Sequence, residues 1–491
     1  MLSHLPILQV ILPLLAAPSC LILGRPALAW AFSFVVSAGA MLISMLLLQQ
    51  VWLQGAISYT LGGWEAPWGI EYRIDLLNGF LLLIVSSLST LVLAASRQSV
   101  AAEVETSKQT LFYVSWLLCL AGLLGILATG DAFNVFVFLE VSSLSTYTLI
   151  SLGRDRRALW ASYQYLVVGT IGATFILIGI GLMYMMTGTL NMQDLAERLP
   201  AVAETRTVFA AYAFVIVGVC LKLALFPLHM WLPNAYSYAP SAVTAFLAAT
   251  ATKVAVYLLI RFSFTVFGAD FGAMDIPLHH IFVALGLFAV FSASAVAIMQ
   301  RNIKRAIAYS SVAQIGYMII GLGMGSVAGL QATLLHLFNH ALMKGALFVS
   351  LAAMALRIGS TQIDDLAGLA RRMPITAMAF VVGGLSLIGV PLTVGFVSKW
   401  YLVVAALEMQ LWPVALLVVL GSLLAVMYVW RVVEVMYFRE PPAGAVKQEA
   451  PLGMLLMLWL LVAGNIYFGI DTRLPVSVTA EAAAALLGVG A

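Results

Sequence analysis

The stretch Thr207-Val-Phe-Ala-Ala-Tyr-Ala-Phe-Val-Ile-Val-Gly-Val-Cys-Leu-Lys222-Leu-Ala-Leu-Phe-Pro227 decides what kind of fold this chain adopts. It is as long as a helix must be to cross bilayer hydrocarbon, about 20 residues, and it is apolar but for one lysine. A charge at that depth costs at least ~2.5–3.5 kcal/mol on insertion scales, so the lysine turns to a bundle interior and finds a partner there. The closing Pro227 lacks an amide hydrogen and its ring clashes with the preceding turn, which breaks the helix. An interrupted membrane helix with a charge beside the interruption is the unit to look for elsewhere.

Outward from it, the sequence predicts fourteen spans, near 4–23, 27–49, 76–96, 110–129, 131–152, 160–187, 207–227, 241–266, 277–299, 303–324, 327–356, 375–403, 411–437 and 452–470. Hydrophobic residues make up 63% of the 491 and charged residues 9%, and mean hydropathy is +1.04. A soluble domain carries about 25% charge. So little charge cannot cover a water-soluble surface, and the fold class is an all-α polytopic membrane protein with a single transmembrane domain over 1–491. The net charge of +3 is too small and dispersed for nucleic-acid binding. Cys20, Cys119 and Cys220 lie far apart in apolar runs and read as small buried hydrophobes, not a disulfide framework or metal cluster. Leu5 to Cys20 reads as a first transmembrane helix: no positive charge precedes it and apolar character resumes at once, unlike a signal peptide.

The loops between spans carry an uneven charge. Odd-numbered loops hold fifteen Lys and Arg, Lys304 among them, and even-numbered loops hold four, namely Arg73, Arg198, Arg206 and Arg261. The positive-inside rule then puts odd loops in the cytoplasm of a bacterial cell and both termini outside.

Besides the loops and Arg473 in the tail, four of the 24 basic residues remain, all lysines within apolar stretches: Lys222, Lys253, Lys344 and Lys399. Glu140 and Glu434 are the acids in spans. Lys344 and Glu434 lie nearer helix ends, where snorkelling or a static pair is an equal alternative. The others read as groups on an ion pathway. Burial disfavours a charged lysine and a carboxylate alongside restores it. A Glu140–Lys222 pair that forms and separates would therefore switch the lysine between holding and releasing a proton. Arginine stays charged, and the sequence predicts none in the buried set.

Lys222 precedes Pro227, and Lys399 follows Gly389-Val-Pro391 and Gly395 in the twelfth span. Discontinuous helices beside charges are how transporter folds form ion sites at mid-depth. The two broken spans are five apart, each followed by a span with a further ionisable residue, Lys253 or Glu434, which hints at a five-helix repeat. In the eleventh span His336, His340 and Lys344 share one helix face at i, i+4 and i+8. With Asn339 they read first as a proton relay, since histidine titrates near neutrality, then as structural hydrogen bonding. Metal binding ranks last, because zinc needs a third ligand and no acid lies near in sequence. His4, His229, His279 and His280 receive no assignment. No dinucleotide fingerprint, P-loop or Cys-rich cluster is present. No cofactor is expected, and redox or ATP chemistry would belong to a partner rather than to an enzyme site here.

The run Leu221-Lys-Leu-Ala-Leu-Phe-Pro-Leu-His-Met-Trp-Leu-Pro-Asn-Ala-Tyr-Ser-Tyr-Ala-Pro-Ser241, continued by Thr252-Lys-Val-Ala-Val-Tyr257, resembles the antiporter-like subunits shared by Mrp cation/proton antiporters, respiratory complex I and membrane-bound hydrogenases. Asn302-Ile-Lys-Arg-Ala-Ile-Ala-Tyr-Ser-Ser-Val-Ala-Gln-Ile-Gly316 and the His336–Lys344 segment fit the same family. The likeness covers nearly the whole chain. It implies two inverted five-helix repeats, at spans 4–8 (about 110–266) and 9–13 (about 277–437), and a hydrophilic axis between them. Glu140 matches the family's fifth-helix glutamate, Lys222 its broken seventh-helix lysine and Lys253 its eighth-helix lysine. His336 matches the eleventh-helix histidine and Lys399 the broken twelfth-helix lysine, while His340 and Lys344 match further polar positions. The resemblance implies proton translocation along these residues, other membrane subunits as partners, and exchange for Na+ or another monovalent cation. Lysine at 399 argues against the complex I subunit type with glutamate there, and the short tail leaves no lateral helix of the largest one. Length and the 233–261 segment favour the D-type component of Mrp antiporters; the smallest antiporter-like subunit of complex I and a hydrogenase relative are the alternatives.

Overall fold

The computed structural model describes residues 2–269, 271, 278–444 and 446–489. Among them, thirteen helices are long and apolar enough to cross a membrane. A fourteenth crossing is made of two halves, Pro374–Ile388 and Val394–Glu408. The expected spans and the observed helices differ by a few residues at most ends; the expected start of the ninth span at 277 lies outside the described residues, and its helix is described from Leu278 to Met299. Local chemistry sets these limits. Asp75, Asp131, Asn302 and Ser326 stand just before helices and accept hydrogen bonds from the backbone N–H groups of Asn78, Asn134, Arg305 and Gly329. Such caps satisfy donors that the first turn leaves free.

The spans sort into an inner and an outer set. The tenth, Ile303–Gly323, is buried along its length, and the third, fourth and eighth nearly so, whereas the first, second, ninth, thirteenth and fourteenth leave most residues uncovered. Leu15, Val35, Phe288, Leu423 and Leu460 project from those outer helices, an apolar exterior suited to lipid and not to water. Small residues let backbones approach. A Cβ on Gly218 of the seventh span would lie 2.6 Å from the Gly172 carbonyl of the sixth, and one on Gly316 of the tenth 2.6 Å from the Gly286 carbonyl of the ninth. Association in lipid depends on this kind of close packing.

Among the described residues, three spans are interrupted. The seventh runs Arg206–Leu223, stops at Ala224 with φ 60°, and resumes as Trp231–Tyr238. Trp231 Nε1 donates to the Leu221 carbonyl at 3.0 Å. The twelfth stops at Gly389, with φ 95°. The eighth was expected to be continuous, yet Thr250 (φ −125°, ψ −59°) divides it into Ser241–Ala249 and Ala251–Ile260. A π-helical turn, Arg261–Val266, follows. Neither proline nor glycine marks the Thr250 break; its freed Ala248 carbonyl is taken by the Lys253 ammonium. The face bearing the even loops is covered by a hairpin of β1 (Ile57–Thr60) and β2 (Glu71–Ile74), by the short helix Met192–Arg198 and by a last helix, Arg473–Leu486.

Candidate functional site

Each interruption places a lysine. Lys222 sits two residues before the seventh-span break, buried, and donates from Nζ to Ser143 Oγ at 2.8 Å. Its Nζ is 3.9 Å from Glu140 Oε1, so the pair expected from sequence forms as a charge contact rather than a hydrogen bond. Lys399 donates to the carbonyls of Leu387 and Ile388 at 3.0 and 2.8 Å. Those carbonyls end the first half of the twelfth span, where the helix dipole is negative and favours a cation. Lys253, wholly buried, donates to Ala248 O and to Thr252 Oγ1, the latter at 3.3 Å.

These lysines belong to one row. A cavity of about 40 Å3 is lined by Lys222, Ser143 and Trp231 on one side and by Thr252 on the other. Water needs roughly 10–15 Å3 of such space and two to four polar partners. Beyond Thr252 comes Lys253, wholly buried, on the span that packs against the eleventh, which carries His340 and His336. The two imidazoles stack, centroids 6.1 Å apart at 5°. His336 Nδ1 shares a 2.8 Å hydrogen bond with Ser398 Oγ, next in sequence to Lys399. The Lys399 ammonium stands 4.9 Å above the Tyr317 ring, whose edge meets His336 at 5.7 Å. Lys344, one turn from His340, donates to Ile307 O at 2.7 Å and Ser310 Oγ at 2.6 Å. The row thus runs Glu140, Lys222, Lys253, His340, His336, Lys399, with Lys344 as a branch toward the tenth span.

Several buried polar atoms of the row find no hydrogen-bond partner among the described residues: Glu140 Oε1, His336 Nε2 and both ring nitrogens of His340. Buried polar groups are nearly always satisfied, by protein or by ordered water. Unpaired ring nitrogens and a carboxylate oxygen on neighbouring groups suit a strip that holds water rather than apolar packing. Among the described residues no group of three or more His, Cys, Asp and Glu comes together as a metal cluster.

Three expectations need correction. Glu434 does not join the row: it is 39% exposed and pairs with Arg439 at 3.3 Å, near the end of Trp412–Phe438. Lys304, expected in a loop, is buried and donates to Ala239 O at 2.8 Å. Arg261, also expected in a loop, is buried beside Asp75, Nη2 to Oδ2 2.7 Å, so one arginine does lie among the buried charges. Ser143, Thr252, Ser310, Tyr317 and Ser398, which hold the lysines and His336, carry no sequence signal that separates them from other hydroxyls in apolar helices.

Residues 129–425 match the transmembrane family described as NADH:quinone oxidoreductase/Mrp antiporter. The N-type subunit of the NADH-quinone oxidoreductase of Desulforudis audaxviator is 42% identical over 457 residues, covering 92% of this chain and 90% of that protein. The D-type component of the Na+/H+ antiporter of Alkalihalophilus pseudofirmus is 29% identical over 469 residues, covering 95% and 94%. A chain of the solved Mrp complex from Dietzia sp. superposes with a TM-score of 0.91 at 25% identity, over 99% of this chain and 97% of that one. With its interrupted spans, its buried lysines and these relatives, the chain belongs to the NADH:quinone oxidoreductase/Mrp antiporter family of transmembrane proteins.

Proposed function

We propose that this chain is a proton-translocating subunit of a larger complex in the bacterial cell membrane, with no redox or ATP site of its own. Protons pass along Glu140, Lys222, Lys253, the two stacked histidines and Lys399, carried between side chains by ordered water. The observation that supports this most is the way neighbouring groups of the row meet: Glu140 faces Lys222, a cavity joins Lys222 to the Thr252 that Lys253 holds, the two imidazoles stack, and His336 and Lys399 share Tyr317. Side chains of this kind at membrane depth are costly to bury and are kept for ion pathways.

The inverted two-repeat plan accounts for the way its two halves differ. Lys222 faces Glu140 and Ser143, three residues apart on the fifth span. Lys399 faces Tyr317, and three residues before it on the tenth span stands Gln314. The second lysine therefore has a phenol ring beside it and, among the described residues, no carboxylate at salt-bridge distance.

Two assemblies suit such a subunit. In the first it is the D-type component of an Mrp-type antiporter, where proton flow drives Na+ or another monovalent cation out through partner subunits; the 0.91 TM-score with the Mrp chain supports this. In the second it pumps protons in a redox-driven complex, supported by the 42% identity with an N-type subunit of NADH-quinone oxidoreductase. The excess of Lys and Arg in the odd-numbered loops supports termini outside the cell. Purification of the native complex separates them: Mrp components alongside this chain establish the first, NADH dehydrogenase or hydrogenase subunits the second. In that complex reconstituted into liposomes, Lys399→Ala should abolish proton transport without preventing assembly. Transport at the unaltered rate would reject the lysine row.

A further inference from the structure

The lysine row needs water at one or both faces, and nothing in its own residues says where it opens. Lys253, Tyr257 and Arg261 follow one another at i, i+4 and i+8 along the second half of the eighth span, so they form one stripe leading from the row toward the even-loop face. Arg261 Nε donates to the Tyr257 hydroxyl at 3.2 Å, and that hydroxyl donates to the Leu127 carbonyl at 3.4 Å. Arg261 Nη2 lies 2.7 Å from Asp75 Oδ2. Asp75 and Arg261 line two cavities at once. An inner one of about 230 Å3 reaches Asn78, Thr129 and Tyr257; an outer one of about 420 Å3 continues past Leu77 and Phe264 to the last helix. The inner cavity holds Glu71 and Arg73 as well, so its walls are charged yet balanced.

A space of 230 Å3 among charged walls fills with water. Beside it, the eighth span departs from α-helical geometry at Arg261–Val266, and π-type turns of this sort occur mostly at functional positions. We propose that this double cavity is the water route by which protons pass between the even-loop face and Lys253, with the Asp75–Arg261 pair as the partition between its chambers and the Tyr257 hydroxyl as the inner link. The species carried is a proton in water rather than a metal cation, because each acid facing the inner chamber is matched by an arginine. The proposal rests on the lysine row as the conducting element.

Single cysteines test it in the reconstituted complex, since native Cys20, Cys119 and Cys220 are buried. Ala196, in the short helix over the inner cavity, and Thr265, which lines both chambers, are replaced separately by cysteine and treated with a membrane-impermeant methanethiosulfonate. Each should label from the even-loop face alone, and labelling should slow proton transport by about tenfold or more, as an added barrier of about 1.4 kcal/mol does. The pair of sites guards against one variant failing to assemble. Absence of labelling from that face, or full labelling with an unchanged rate, overturns the route. In addition, Tyr257→Phe keeps the ring beneath Arg261 and removes only the hydroxyl; transport should fall several-fold in a complex that assembles normally, and an unchanged rate contradicts the link. Transport that is lost in Lys399→Ala but intact in labelled Ala196→Cys rejects this route and leaves the lysine row standing.

Discussion

At the scale of single residues, the proposed proton transfer depends on the buried lysines of the row. Among the described residues, Glu140 is the only acid paired with one of them in the row, 3.9 Å from Lys222. Glu140→Gln leaves the Ser143 hydrogen bond in place and removes the counter-charge. Proton transport by the reconstituted complex should drop at least about tenfold, a barrier change near 1.4 kcal/mol, and Glu140→Asp should restore part of it. An unchanged rate for the glutamine variant would show that Lys222 works alone. These residues were legible because a charge in an apolar run is conspicuous at any register. Their supports were not: Ser143, Ser398 and Tyr317 are ordinary occupants of membrane helices, and only packing shows that they meet a lysine or a histidine. Lys304 and Arg261 were misplaced for the converse reason. Each stands near a span end, the first beside Arg301 and Arg305, and composition cannot tell a solvated end from a buried one.

Among elements, the interruptions set the geometry, and their visibility tracks their cause. Proline and glycine announced the breaks in the seventh and twelfth spans. The break at Thr250 came without either, since it is held by a tertiary interaction, the Lys253 ammonium on the Ala248 carbonyl. Close helix crossings were also partly legible, through glycine content, though the pairing of Gly286 with Gly316 and of Gly172 with Gly218 was not. Gly316→Ala should separate the ninth and tenth spans, because its Cβ would sit 2.6 Å from the Gly286 carbonyl. Overpacking of this kind costs roughly 1–3 kcal/mol, so the purified complex should melt earlier and form in lower yield. Gly453→Ala, which meets nothing within 4 Å, should melt as the unaltered protein does or later. Equal melting of the two variants would mean that this crossing has room for a methyl group after all.

For the molecule as a whole, span number and the apolar exterior followed from hydropathy alone, whereas the course of the conducting row did not. Sequence order places Glu140, Lys222, Lys253, His336 and Lys399 on five different spans. Only the packed bundle shows that the cavity beside Lys222 meets Thr252, that the eighth span packs on the eleventh, and that His336 and Lys399 share Tyr317. Lys253 is the middle of this row and is fully buried. Its substitution asks whether the halves act as a single conductor.

The decisive measurement is proton uptake by liposomes containing the complete complex with Lys253→Met, a side chain of similar length that cannot carry a proton. Loss of a positioned proton carrier slows transfer by roughly 100-fold or more, so uptake should fall to the level of empty liposomes while the complex still assembles. Uptake at the unaltered rate would contradict a continuous proton row through this chain.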